Sequence, residues 1–393
     1  NIEVVIDSGL ERRTVQRYGR TTLSLKNISQ ASAKQRAGRA GRVMEGTCVR
    51  LYGQHAALEL VTPPELQREE LIEPMLASAS CGYSIESLSF IDELPVKSLE
   101  SARQKLKMMS AIDEQGMITE HGKALYPLPI DAINADLVTR ISHKATKEAM
   151  IDLTAALSVP ASLYQLPKNE EQSDELVKTL PELCDATLLV KLVRGFPLPN
   201  LAIEPEAVRE AQGLSNQMRE MFELPQLEVA SRYNRNELIK AIVSLHPELV
   251  FIRRAKRKEA FSNGHLEVML GKQSLLSDKS EACIVLDTHS LPGRGVKQTL
   301  TLATVNMPVP LSLLVDEDIG EWQQGKTVTI DGQVLTELQL IYAGRVIATK
   351  HAEPEGSLAL KPIVDMVVAE QVLEGLATQR KQEIALWQLY VQL

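Results

Sequence analysis

The sequence predicts a multidomain α+β chain, and three observations predict it. At 393 residues it is too long for a single hydrophobic core. Its hydrophobic periodicity changes class along the chain: a β-branched run at Ile2 to Ile6, helical periods through the middle, and alternating runs with tight turns after His265. Proline clusters mark the changes, at Thr62-Pro63-Pro64-Glu65, Pro160, Pro181 and Pro197 to Pro199.

Residues 1–62 read as the remnant of an α/β domain. Ile2-Glu3-Val4-Val5-Ile6 has the character of a parallel strand buried on both faces, which needs neighbours that the chain lacks, so a fragment is expected. Arg12 to Lys26 alternates and breaks at Tyr18-Gly19-Arg20, a hairpin carrying Arg12, Arg13, Arg17 and Arg20. On pattern alone, this is a hairpin kept soluble by charge or one that touches an anionic ligand.

Residues 63–130 suggest a winged helix. Ser98 is placed to cap a helix with the stripe Leu99, Ala102, Leu106 and Met109; Asp113 to Gly116 turns the chain into a short strand at Met117-Ile118, and a helix follows through Thr119 to Leu125. Residues 131–248 read as a helical bundle, with Asn234 and Glu237 opening a helix whose face is Leu238, Ile242 and Leu245. Within it, Glu170 to Glu175 reads as a solvated loop or helix start. Residues 249–350 read as a small β-barrel, with strands at Leu266 to Leu270, Cys283 to Thr288, Thr299 to Val305 and Thr327 to Ile330, and turns at Asp331-Gly332 and Ala343-Gly344. Residues 351–393 have a helical period from Pro362 through Trp387.

Two stretches carry chemistry. Gln35 to Arg42 reads Gln-Arg-Ala-Gly-Arg-Ala-Gly-Arg, three arginines at spacing three with glycines between, expected to begin a helix. A guanidinium keeps its proton at neutral pH and meets phosphate oxygens two at a time. An ordinary ion-paired surface helix would explain the arginines but not glycines, which are costly inside a helix. The second stretch, Arg253-Arg254-Ala255-Lys256-Arg257-Lys258 beside Phe251 and Phe261, suits single-strand binding by stacking and phosphate contact, and equally a charged linker.

The net charge of −8 argues against nucleic-acid binding over the whole surface but leaves room for a local basic groove. With no apolar run of membrane-spanning length and no signal-peptide pattern, a cytoplasmic protein without a membrane partner is expected. Four cysteines lie far apart without metal-type spacing, so no metal site is expected, and the thiols are expected to be reduced, buried and structural.

The octet resembles the sixth motif of superfamily 2 helicases in the form used by the DEAH-box group. The run Val4-Val5-Ile6-Asp7-Ser8-Gly9-Leu10-Glu11-Arg12 is similar to the strand and turn after that family's fifth motif, and Gly46-Thr47-Cys48-Val49-Arg50-Leu51-Tyr52 to the closing strand of its second RecA-like domain. The segments Phe90 to Pro95 and Leu128 to Asp131 resemble the borders of its winged helix; Phe261-Ser262-Asn263-Gly264 and Val372 to Leu376 resemble, more loosely, the bacterial HrpB-type subgroup. Leu286 to Val296 departs from the pattern, so no barrel contacts are carried over.

The resemblance implies an ATP-dependent RNA helicase made of a second RecA-like domain, winged helix, ratchet-like bundle, oligonucleotide-binding-like barrel and C-terminal helix. It implies arginine fingers at Arg39 and Arg42, a water-positioning Gln35, nucleotide contacts from Arg36 and Gly38, and close approach at Gly41. It also implies that Arg12, Arg13, Arg17, Arg20, Arg253, Arg254, Lys256 and Arg257 touch a single strand, RNA ahead of DNA. No phosphate loop and no Asp-Glu-Ala-His box is present, so ATP with Mg2+ is expected to engage a first RecA-like domain that is not in this sequence. A partner-binding region clamped by an accessory protein, and a DNA-directed helicase, are the alternatives.

Overall fold

A computed structural model describes residues 2–17, 20–167, 175–176, 184–198, 201–292, 299–330, 333–353 and 357–391. The chain divides into two compact units, Asn1–Val309 and Pro310–Leu393.

The first unit opens with β1 (Val4–Asp7), then the antiparallel pair β2 (Leu10–Arg17) and β3 (Arg20–Asn27), helix α1 (Gln30–Ala37) and β4 (Thr47–Arg50). Strand β1 pairs in parallel with β4 from Val4↔Thr47 to Asp7↔Arg50. The hairpin expected at Arg12–Lys26 is present, in register from Leu10↔Asn27 to Arg17↔Arg20; Tyr18 and Gly19 lie outside the described residues. Ser29 caps α1 by accepting from the Ser32 amide at 3.0 Å. The arginine octet does not begin this helix. It ends it, with Gly38 as the C-terminal cap, so its glycines avoid the helical interior where they would be costly.

Next come α2 (Ile72–Ser80), α3 (Val96–Met108) and α4 (Glu120–Leu125), with Ile112 bridged to Ile118. Helix α3 starts from Pro95, not Ser98, whose side chain is buried within the helix; proline supplies the fixed φ that opens a helix without needing an amide partner. The expected stripe packs: Ala102, Leu106 and Met109 join Leu71, Ile72, Met75, Leu76 and Leu125 in one core, with Leu99 against it.

Helices α5 (Ala132–Arg140) and α6 (Lys144–Ser158), the short pair β5 (Tyr164–Gln165) and β6 (Ala202–Ile203), α7 (Asp185–Val193), α8 (Pro205–Met221) and α9 (Arg235–Leu245) form the middle. Asn234 caps α9 as its sequence predicts, accepting from the Asn236 amide at 2.8 Å. Of the acidic stretch, residues 170–174 lie outside the described ones. The centre of this region is charged. Arg219 is fully buried, donating to both Asp152 oxygens at 2.8–3.0 Å, to Glu148 at 3.4 Å and to the Pro225 carbonyl at 2.7 Å. Arg194 adds a 2.6 Å bond to Asp152, and the Ser231 amide closes the set on Glu148 at 2.7 Å.

A closed barrel follows: β7 (Val250–Arg253), β8 (Ala260–Ser262), β9 (Glu267–Leu270), β10 (Ala282–Pro292) and β11 (Thr299–Val309), in the order β10-β11-β9-β8-β7 and sealed by β10 on β7. Asp185 at the start of α7 fastens bundle to barrel, accepting from the Leu275 amide at 2.6 Å, the Asn306 amide at 3.0 Å and the Ser274 hydroxyl at 2.8 Å. A second clasp joins α4 and α5 to the barrel entrance. Asp136 takes His121 at 2.5 Å and His246 at 2.9 Å, and His246 gives its other ring nitrogen to Glu248 at 2.7 Å.

The second unit holds α10 (Leu311–Asp316), the antiparallel sheet β12 (Glu321–Ile330), β13 (Gln333–Tyr342) and β14 (Arg345–Ala352), then α11 (Ser357–Val368), α12 (Leu376–Gln379) and α13 (Lys381–Val391). The boundary at 350 is therefore not where the barrel ends: five strands close it by Val309, and β12 to β14 make a separate sheet. Ala343 and Gly344 form the expected turn with φ of 47° and 74°; Asp331 and Gly332 lie outside the described residues, between the paired Ile330 and Gln333. Cys184 and Cys283 are buried as expected, whereas Cys81 is exposed and Cys48 half-buried, because the positions they occupy at a helix end and on a two-stranded sheet are open on one side.

Two outcomes follow from the buried charges. Replacing Arg219 with Leu strands Glu148 and Asp152 in the interior and should cost about 3–5 kcal/mol in chemical denaturation, more than an exposed Arg209→Leu. Burial pushes the His246 imidazolium down, but its bonds to Asp136 and Glu248 win and raise its pKa to about 9. Its protonation stabilises fully below about 6.5, the unfolded value, and is lost as pH rises toward about 9, so melting temperature should fall across that window in the native chain and much less in His246→Gln.

Candidate nucleotide-contact and nucleic-acid sites

The octet leaves α1 through a tight turn in which the Gly38 amide bonds the Lys34 carbonyl at 3.0 Å, Arg39 that of Arg36 at 3.1 Å, and Ala40 that of Ala37 at 3.1 Å. Ala40 is buried and plugs the turn into the domain. Gly46 lies so close behind it that a Cβ there would stand 2.1 Å from the Ala40 carbonyl oxygen, which only glycine tolerates. With Ala40 fixed, Arg39 and Arg42 on either side point away, both exposed and, among the described residues, without an ion pair. Gln35 is exposed at the same helix end, and a Cβ on Gly41 would meet nothing within 4 Å.

Arg36 differs. Its guanidinium bonds Asp7 at 2.9 Å and the Leu10 carbonyl at 3.1 and 3.2 Å, so it faces into the domain and holds the segment instead of offering itself to phosphate. Asp7 and Tyr52 are the residues that motif reading missed. The Asp7 carboxylate, buried at the end of β1, also accepts the Gly9 amide at 3.0 Å and the Tyr52 hydroxyl at 3.1 Å. Burial pushes this carboxyl up, but those three donors outweigh it and hold it below the usual range. The only signal for either residue was its place in a flanking run, strand end for Asp7 and strand exit for Tyr52.

The hairpin arginines separate by strand alternation. Arg12 is exposed. Arg13 is buried and bound to Glu11 at 2.7 Å, Glu59 at 2.7 Å and the Asn27 carbonyl at 3.3 Å, so it fastens the hairpin's root and is removed from the nucleic-acid set. The Arg17 and Arg20 positions face each other at the far end of the hairpin; their side chains lie outside the described residues.

The basic run is the β7–β8 turn, and it also divides. Arg253 is buried, donates to the Ser280 carbonyl at 2.9 Å and to that of Lys258, and stacks 4.5 Å from the Phe261 ring centre. Phe251 and Phe261 are fully buried in the barrel core. Neither offers a stacking platform: the barrel's short strands need their largest apolar side chains inside. Arg254 and Arg257 share Glu267 at 3.5 and 2.5 Å. Lys256 and Lys258 are exposed and have no ion pair among the described residues. A cleft of about 750 Å³ between α3, the start of α5 and β10 carries Glu69, Glu70, Glu73, Asp131, Glu248 and Asp287 with Lys105, His246 and His265; burial and Asp131 hold the Glu73 carboxyl above its ordinary value. Among the described residues no group of three or more His, Cys, Asp or Glu is placed to hold a metal ion, and no helix is long and apolar enough to cross a membrane.

The exposed arginine turn, the helices and the five-stranded barrel belong to a chain that is similar to DEAH-box helicases, in part of its sequence and in its fold. No family model matches it. It is 32% identical over 178 residues to the pre-mRNA-splicing factor ATP-dependent RNA helicase prp22 of Schizosaccharomyces pombe, a match covering 44% of this chain and 15% of that protein. Its fold is similar to that of the E. coli DExH-box NTPase HrpB, with a TM-score of 0.65 at 17% identity over 95% of this chain and 42% of that one. A second structure, of E. coli DEAH/RHA helicase HrpB, gives 0.64 at 19% identity over 91% and 41%. The chain thus spans less than half the length of each.

Melting temperature separates the arginines. Arg39→Ala and Arg42→Ala should leave it nearly unchanged, as for other unpartnered surface side chains, whereas Arg36→Ala, which strands buried Asp7, should lower it by about 2–4 °C.

Proposed function

We propose that this chain is the C-terminal portion of an ATP-dependent RNA helicase, and that Arg39 and Arg42 are the arginine fingers of its second RecA-like domain. The observation that carries the reading is their isolation: two exposed guanidiniums without partners among the described residues, held to either side of the buried Ala40, while the third arginine of the same motif is bound internally. This arrangement leaves both side chains uncommitted to the fold among the described residues. It suits a site where negative charge develops on a ligand brought from outside.

In this reading Arg39 and Arg42 meet the γ-phosphate across a cleft formed with a first RecA-like domain, and Gln35 orients the attacking water. Mg2+ bound with ATP would neutralise charge on the β- and γ-phosphates, held by that other domain. Single-stranded RNA lies against the hairpin through Arg12, Arg17 and Arg20. A further grip comes from the β7–β8 turn through Lys256 and Lys258, aided by Arg254 and Arg257 whose shared Glu267 a phosphate can displace. Accessory proteins, if they act, would modulate this cycle.

Three measurements test the reading. The isolated chain should not hydrolyse ATP above background, and in a longer protein carrying both motor domains Arg39→Ala should abolish RNA-stimulated turnover while RNA affinity stays within about three-fold. Turnover near the unmutated level would end the finger assignment. In a salt titration of single-stranded RNA binding, Lys256→Ala with Lys258→Ala should reduce the slope of log affinity against log salt by about 0.7 for each phosphate no longer neutralised; matched DNA binding as tightly would shift the substrate to DNA.

A further inference from the structure

The arginine segment and the root of the β2–β3 hairpin share one set of bonds. Arg36, three residues before Arg39, spans from Asp7 to the carbonyl of Leu10, the first residue of β2. Asp7 is buried at the end of β1 and holds the Gly9 amide with the same oxygen that takes Arg36, while its other oxygen takes Tyr52. Gly9 has φ of 73°, and a Cβ on it would stand 2.5 Å from the Tyr52 ring, so the turn between β1 and the hairpin is packed solid. The start of α1 is tied to the same root. Arg13 of β2 bonds Glu59, whose carbonyl receives the Gln30 amide at 2.8 Å, and the Gly9 carbonyl receives the Ile28 amide at 2.9 Å. Helix α1 is therefore pinned to the hairpin's base at both ends.

We propose that Asp7, supported by Tyr52, is a positioning residue that fixes Arg36 and through it sets Arg39 and Arg42 relative to the hairpin, so that a strand held by the hairpin is felt at the phosphate-facing arginines. The proposal rests on the helicase reading above. Its content is mechanical: the β1–β2 turn at Gly9, Arg36 of α1 and Tyr52 beyond β4 all converge on the buried Asp7 carboxylate. Loss of its charge leaves Arg36 held by the Leu10 carbonyl alone among its close partners, and a shift of about an ångström at a finger is enough to lose most of its effect.

The test is steady-state ATP hydrolysis by a longer protein carrying both motor domains, with and without polyuridylate RNA, for the native sequence, Asp7→Asn and Tyr52→Phe. RNA affinity is measured in parallel by fluorescence anisotropy. Asp7→Asn should lower RNA-stimulated kcat by about ten-fold or more while KM for ATP and RNA affinity stay within about two-fold, and Tyr52→Phe should lower kcat in the same direction by a smaller factor. Asp7→Glu, which keeps the charge, should recover part of the loss. Stimulation equal to the native protein in both variants overturns the proposal and leaves the helicase reading standing. A parallel loss of RNA affinity overturns it too, since the residue would then serve binding. A native protein that RNA does not stimulate overturns the helicase reading itself, and the proposal with it. If Asp7→Asn does not fold, Tyr52→Phe, which removes a single hydroxyl, decides the matter alone.

Discussion

The architecture depends on one buried guanidinium. Arg219 has no solvent contact, and neither do Glu148 and Asp152, so three charges sit where water cannot reach them. Removing charges from water costs several kcal/mol each, and the set is tolerable only because the charges bond one another and nearby polar groups. That requirement fixes α8 against α6 and draws in Arg194 from α7 and the Ser231 loop that leads to α9. From α9 the constraint passes to His246, bonded to both Asp136 and Glu248, and from α7 to Asp185, which receives the barrel's loop and edge. The α2–α5 region, the bundle and the barrel are thus joined by ionic clasps whose partners come from distant stretches of sequence.

The same demand for partners sorts the arginines into two populations. Arg13, Arg36, Arg194, Arg219 and Arg253 are engaged by carboxylates and backbone carbonyls, whereas Arg12, Arg39 and Arg42 face solvent. Neighbours in sequence fall into opposite classes. Arg12 and Arg13 differ because successive strand residues face opposite ways, and Arg36 and Arg39 because the helix stops between them at Gly38.

Most of the elements were legible because they depend on local pattern. The α3 stripe, the Asn234 cap, the hairpins and the barrel strands β9 to β11 follow from period and turn chemistry, which short windows of sequence contain, whereas β7 and β8 were not read as strands. The octet was misread as structure, since spacing alone does not distinguish the start of a helix from its end. Long-range pairing was not legible. Nothing in Arg253-Arg254 says that the first residue will be buried over Phe261 and the second left at the surface, because that depends on where β7 closes onto β10. Asp7 and Tyr52, forty-five residues apart, are invisible as a pair for the same reason. The boundary near 350 failed because strands resume in β12 to β14 after the short helix α10, and period does not report which sheet a strand joins.

The octet's place at the trailing end of α1 has an electrostatic consequence. A helix presents its partial negative charge at that end, and the amides of Gly38, Arg39 and Ala40 are already bonded to the carbonyls of the last turn. Glycine-rich phosphate loops do the opposite, offering free amides at a positive helix start. Here the backbone repels an anion and only the side chains attract it. In the proposed reading such a surface would have little standing affinity for stray phosphate and would act where both guanidiniums meet one group, which favours an encounter imposed by domain closure over one governed by the concentration of free anions.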